Sequence, residues 1–149
     1  MIRPILFASL VLAGPALAAG PLSVTTAILV EARSAAPDGS TRVTLVSAAR
    51  AVPGDRVIVR VAYRNTGPAP IAGLVIANPV PPGLVYRGPA PGSPAAELSA
   101  DGSRFGPLAR LTVAGRAAAP ADITHVRWRL ASPVAPGSGG QFAFQAVLK

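Results

Sequence analysis

Apolar and polar positions alternate with a period of two along most of this chain, and turn residues interrupt each run before it grows long. A period of two is the mark of a half-buried β-strand. It is clearest from Arg56 to Arg64, where Val57, Val59, Val61 and Tyr63 fall on one face. Arg56, Ile58, Arg60, Ala62 and Arg64 fall on the other. This pattern predicts one face in a core and one in water, as antiparallel sheets allow. Ile123–Leu130 alternates in the same way, with Val126, Trp128 and Leu130 inward and His125, Arg127 and Arg129 outward. Gln141–Lys149 puts Phe142, Phe144, Ala146 and Leu148 on one face.

The remaining strands are read from β-branched runs between turns. Leu22–Arg33, Arg42–Ala48, Ile71–Ala77, Leu84–Arg87 and Leu108–Val113 are expected strands. Ala96–Ser99 and Arg104-Phe105 are expected to form a hairpin about Asp101-Gly102. Ala36-Pro37-Asp38-Gly39 and Val52-Pro53-Gly54-Asp55 are turns, since Pro presets φ and Gly accepts positive φ. Ala114–Ala121 reads as a small-residue linker. With 17 Pro and 15 Gly spread through 149 residues, long helices are not expected. The sum is an all-β chain, an Ig-like antiparallel β-sandwich of about 7–9 short strands. An outer-membrane barrel would need strands of about 9–11 residues and aromatic girdles. Aromatic residues are only 5% here, which argues against it.

The N-terminus departs from this pattern. Arg3 precedes an apolar stretch, Ile5–Ala13, and Ala16-Leu17-Ala18 is a small-x-small cleavage site. Residues 1–18 therefore read as a signal peptide and 19–149 as a single sandwich domain. The apolar stretch is shorter than the roughly 20 residues of a membrane-spanning helix, and no transmembrane span is expected in the mature chain. The expected location is exported, either periplasmic or secreted.

Between Val52 and Val85 the turns and strands occur in a specific order. Pro53-Gly54-Asp55 leads into the Val57–Tyr63 strand; Asn65-Thr66-Gly67-Pro68 follows it. A further strand ends in Asn78-Pro79-Val80-Pro81-Pro82-Gly83-Leu84. This stretch resembles the conserved-repeat-domain family (domain of unknown function eleven), which are bacterial extracytoplasmic Ig-like repeats. The resemblance implies a structural, adhesive or spacer role in the cell envelope, without an established reaction. Asn78 stands where that family usually has Asp, which keeps a turn but weakens any cation role. Ala135-Pro136-Gly137 before the last strand continues the likeness.

Charge and chemistry narrow the functional reading. The formal net charge is +8, and all the basic residues except Lys149 are Arg. Such a balance suits anionic partners. It also fits a coding bias toward Ala, Gly, Pro and Arg. There is no Cys, hence no thiol chemistry, and one His, His125, is too few for an ordinary zinc site. Of the acids, Asp38 and Asp101 each precede Gly and Asp55 closes a turn, so turn formation accounts for them. No cofactor, metal site or catalytic residue is expected, and a hydrolase would require His125 buried beside an acid. Tyr86 is the one aromatic residue expected to be exposed as a carbohydrate platform.

The main expectation is a non-catalytic exported module with a structural, adhesive or protein-attachment role in the bacterial envelope. The alternative is a binding module for anionic glycan or lipid headgroups. Its candidate face is Arg56, Arg60, Arg64, Arg127 and Arg129, provided their two strands are neighbours. The competing account of that face is a solvated sheet surface. The candidate partners are another envelope protein, docked by strand or sheet face, and an anionic polymer; no nucleic acid is expected. Gln141–Lys149 is a candidate donor or edge strand.

Overall fold

A computed structural model describes residues 20–47 and 51–149. The expected signal segment lies outside the described residues, as does Ala48. Ten strands follow in chain order: β1 (Leu22–Ala35), β2 (Thr41–Ser47), β3 (Arg56–Asn65), β4 (Val75–Pro79), β5 (Leu84–Pro89), β6 (Glu97–Ser99), β7 (Thr112–Val113), β8 (Arg116–Ala117), β9 (His125–Arg129) and β10 (Gly139–Leu148). One antiparallel sheet has the order β2-β1-β3-β10-β5, and a second has the order β4-β9-β6. Strands β7 and β8 form a separate hairpin. The fold is an all-β, sandwich-like arrangement of two sheets.

The core lies between the sheets. Val57, Val59 and Val61 of β3, Tyr86 of β5, and Phe144 and Ala146 of β10 meet Ile76 of β4, Leu98 of β6, and Val126 and Trp128 of β9. The alternating rows thus bury the side chains that the pattern assigns to the core. Tyr63, Leu130 and Phe142 pack at its margin, half-buried. The aromatic rings form a continuous group. Trp128 stacks on Phe142 at 4.9 Å and 6°, and Phe142 on Tyr63 at 5.5 Å.

Both ends of β3 are tied to the last strand by the turns that flank it. At its start, Gly54 takes φ +92°, which favours glycine. Gly54 N–H donates to Leu148 O, and Leu148 N–H to Asp55 O. At its end, the fully buried Asn65 is a hub. Its Nδ2 donates to Ala69 O (2.8 Å) and Val134 O (2.9 Å), and its Oδ1 accepts from Gly67 N–H (2.9 Å). Its backbone pairs with Ser138 O and Gly137 N–H. Gly67 in turn passes Pro21 so closely that a β-carbon there would stand 2.6 Å from the Pro21 ring. The Pro-Gly-Asp and Asn-Thr-Gly-Pro motifs act as clamps on the central strand.

Several expectations change. The expected strand Leu108–Val113 is a 3-10 turn at Leu108–Arg110 followed by the two-residue β7. Pro107 supplies the carbonyl that closes the turn on Arg110 N–H. The supposed linker after it holds a two-residue hairpin loop, Ala114-Gly115, with φ of +48° and +77°. Positive φ at both positions is the geometry that matches hairpin twist. Ile71 makes only an isolated bridge to Val134, and the strand proper begins at Val75. Strand β1 starts at the expected Leu22 and runs two residues past Arg33, to Ala35. Asn78 lies within β4 rather than in a turn, and there it accepts a 2.8 Å hydrogen bond from Thr26 Oγ1 of β1, linking the two sheets.

Candidate functional site

The topology separates the five candidate arginines into two groups. Arg56, Arg60 and Arg64 lie on β3, in the centre of the five-stranded sheet; Arg127 and Arg129 lie on β9, in the centre of the other sheet. The inward rows of both strands meet in the core, so the outward rows face away from each other. The two strands are not neighbours, and no single surface carries all five guanidiniums.

On β9 the guanidiniums are engaged. Glu97 of β6 pairs directly opposite Arg127, and its carboxylate accepts from Arg127 Nε at 2.6 Å and from Arg129 Nε at 3.3 Å. Hydrogen bonding from Arg127 is the largest cause of the lowered pKa of Glu97. Arg127 also lies 4.0 Å over the Phe105 ring, a cation–π contact. These groups hold β6, β9 and the Phe105 loop together.

The β3 row differs. Ile58, expected outward in water, is 5% exposed, because Leu29 of β1 and Gln145 of β10 stand opposite it on either side. A central strand is flanked on both sides, so even its outward row is half covered. Arg56 and Arg64 are exposed and Arg60 is half-buried. Near one end of this face, Arg56 lines a cleft of about 230 Å³ with Glu31, Gln145, Val147 and Arg87. Pattern reading missed Arg87, Glu31 and Gln145 because they come from three other strands, and only the sheet order brings them together.

Five of the six carboxylates have a local structural task. Asp38 accepts from the Ser40 hydroxyl and N–H, and the hydroxyl bond is the larger cause of its lowered pKa. Asp55 accepts from Val52 N–H at 2.9 Å. Asp101 caps the Ser99–Arg104 turn through the N–H groups of Ser103 and Arg104, which hold its carboxyl far below the usual range. Asp122 takes both guanidinium nitrogens of Arg116 at 2.7 and 2.8 Å and also Ala119 N–H. The Arg116 bonds are the main cause that lowers it to about 2. Glu97 is the fifth, and Glu31 alone is left to the cleft.

His125 is half-buried, its Nδ1 lies 2.9 Å from Thr124 Oγ1, and its ring packs against Gly102 without an ion pair to an acid among the described residues. Tyr86, the expected exposed aromatic, is 5% exposed and packs 5.8 Å from Phe144. It faces inward because β5 joins the edge of the sheet with Tyr86 opposite Ala146 of the core row. Burial raises its pKa. Gln141–Lys149 is no edge: β10 sits between β3 and β5. Among the described residues β2 and β5 are the edges of this sheet, and β2 is exposed at all seven positions, with Val43, Leu45 and Val46 each more than two-fifths exposed. Among the described residues no helix is long and apolar enough to cross a membrane.

Comparison of the chain with protein-family models, with curated proteins and with solved structures finds no match in any of the three.

Proposed function

We propose that this chain is a non-catalytic, exported Ig-like module that attaches to another protein of the bacterial cell envelope by accepting an extended segment along β2. One observation carries the reading. Among the described residues, strand β2 (Thr41-Arg42-Val43-Thr44-Leu45-Val46-Ser47) pairs only with β1, has no partner on its outer edge, and is exposed on both faces. Protein edges are usually blunted by Pro, bulges or charge. This one has a single charged residue and unbroken register with β1 from Thr41 to Ser47. An added strand gains backbone hydrogen bonds at the edge and places alternate side chains against Val43 and Leu45. The motif order from Pro53 to Leu84 and the Arg3–Ala18 leader pattern support the envelope setting.

Two measurements test this. N-terminal sequencing of the protein from its own cells is expected to begin at Ala19; a chain retained from Met1 in the cytoplasm argues against export. A photo-crosslinking residue at Leu45 is expected to capture one defined envelope protein in cells, and the same residue at Arg104 is expected not to. Val43→Pro should abolish that product. Equal capture at both positions would defeat the strand-attachment reading.

A further inference from the structure

The cleft on the outer face of the five-stranded sheet is built by an irregularity in one strand. Strands β10 and β5 pair Val147 with Val85 and Ala146 with Tyr86, then shift so that Gln145 pairs with Gly88. Arg87 is the extra residue of this β-bulge. Bulges bend the strand, re-aim a side chain and are over-represented beside binding sites. Gly88 permits the shift with φ +153°, a conformation that L residues rarely adopt. The irregularity therefore places an exposed guanidinium beside a second one, Arg56, across the short span of β10 between them.

The other lining groups complete a polar set. Gln145 of β10 and the half-buried Glu31 of β1 line the cleft with the two arginines. Glu31 and Arg56 stand one step past the last β1–β3 pair, Val30 with Val57. Among the described residues, neither arginine nor Glu31 takes part in an ion pair. The ion pairs present join Arg104, Arg116, Arg127 and Arg129 to Asp101, Asp122 and Glu97. The cleft thus holds two uncommitted forked donors, an amide, and one uncommitted carboxylate. At about 230 Å³ it is smaller than the roughly 300–1,000 Å³ of pockets that enclose drug-sized ligands. It suits a small charged group.

We propose that this cleft binds a phosphate ester carrying a nearby amine, of the phosphoethanolamine type. Arg56 and Arg87 take the phosphate oxygens, since guanidinium matches phosphate in a bidentate fork. Gln145 donates to a third oxygen, and Glu31 takes the ammonium. The carboxylate is the selective element. It opposes a bare dianion and favours a ligand that brings its own positive charge. The same chemistry is displayed by a membrane lipid headgroup and by a free or polymer-linked ester. This site is distinct from the β2 edge and stands or falls separately from strand attachment.

The test is titration of the folded protein with O-phosphoethanolamine and with glycerol 3-phosphate, followed by amide chemical shifts at residues 31, 56, 87 and 145. Phosphoethanolamine is expected to bind at least fivefold more tightly than glycerol 3-phosphate. Arg87→Gln should weaken both by tenfold or more, and Arg87→Lys by less. Arg64→Gln, on the same face but outside the cleft, should change neither by more than twofold. Glu31→Gln should erase the preference for the amine. Each variant is first checked for an unchanged thermal midpoint, and Arg87→Lys preserves charge should Arg87→Gln fold poorly. Vesicles of phosphatidylcholine with and without phosphatidylethanolamine separate the sources. Retention only by the vesicles that contain phosphatidylethanolamine, together with binding of the free ester, assigns a membrane headgroup; binding of the free ester alone assigns a soluble or polymer-linked one. Equal losses in Arg64→Gln and Arg87→Gln would mean diffuse charge and overturn the site. Equal affinity for the two esters overturns the role of Glu31, and absence of binding by both overturns the whole proposal.

Discussion

The body of the sandwich and the β1–β2 ribbon are made from the same kinds of residue but have different fates. In the body, Val57, Val59, Val61 and Phe144 are essentially inaccessible. In the ribbon, Val43, Leu45 and Val46 of β2 remain largely exposed. Both segments are rich in β-branched residues and both pair in regular register. The difference is the second sheet. It has three strands against five, and it covers β3, β10 and β5, while β2 stays exposed on both faces among the described residues. Strand propensity decides that a segment pairs; only a facing layer decides that it is buried.

Experiments can sharpen this contrast, beginning with the largest effect. Phe144→Ala should lower unfolding free energy by about 3–5 kcal/mol, and deleting residues 141–149 should abolish a cooperative denaturant transition. A truncated chain that still unfolds cooperatively would mean β10 is not integral to the body. Asn65→Ala should cost about 3 kcal/mol, because it removes three hydrogen bonds together, those to Ala69 O, Val134 O and from Gly67 N–H. Ala114→Gly should stabilise by about 0.5 kcal/mol, since Ala114 sits at φ +48° where Gly is unstrained. The measurement is a urea midpoint with an unchanged slope.

Acid gives a smaller effect. The carboxyls of Asp101, Asp122, Glu97 and Asp38 are all lowered in the folded chain, Asp122 to about 2. The unfolded chain then binds more protons than the folded chain below the ordinary carboxylate range. Stability is full above about pH 5 and falls as the pH drops toward 2. The loss should be shallow, because these ion pairs are exposed and solvent-screened. A thermal midpoint that is flat from pH 5 to pH 2 would contradict it. The smallest effect belongs to the ribbon. Val43→Thr with Leu45→Thr should shift stability by less than about 0.5 kcal/mol, and β2 amides should exchange faster than those of β3.

Much of the body was legible from the chain alone. The alternation of Arg56–Arg64 and Ile123–Leu130 placed Val57, Val59, Val61, Val126 and Trp128 inward, and they are inward. Sheet order was not legible, because period two carries no information on which strand lies beside which. That gap joined Arg127 and Arg129 to the β3 row and left Arg87 out. Tyr86 was misplaced for a related reason: Leu84–Arg87 is too short to show which of its faces meets the core. The hairpin at Ala114-Gly115 escaped notice because Ala is a rare residue in its conformation. Asn65 shows the reverse case. Its turn motif was plain in the sequence, but its task of holding two loops together needs Val134, 69 residues away.

Strand β1 pairs with β3 from Leu22 to Val30 and with β2 from Leu29 to Ala35, so among the described residues the two ladders share Leu29 and Val30. It is a splice, with one rail shared between two short spans. Among the described residues β2 meets the body through β1, so strain entering at β2 reaches β3 along that shared rail.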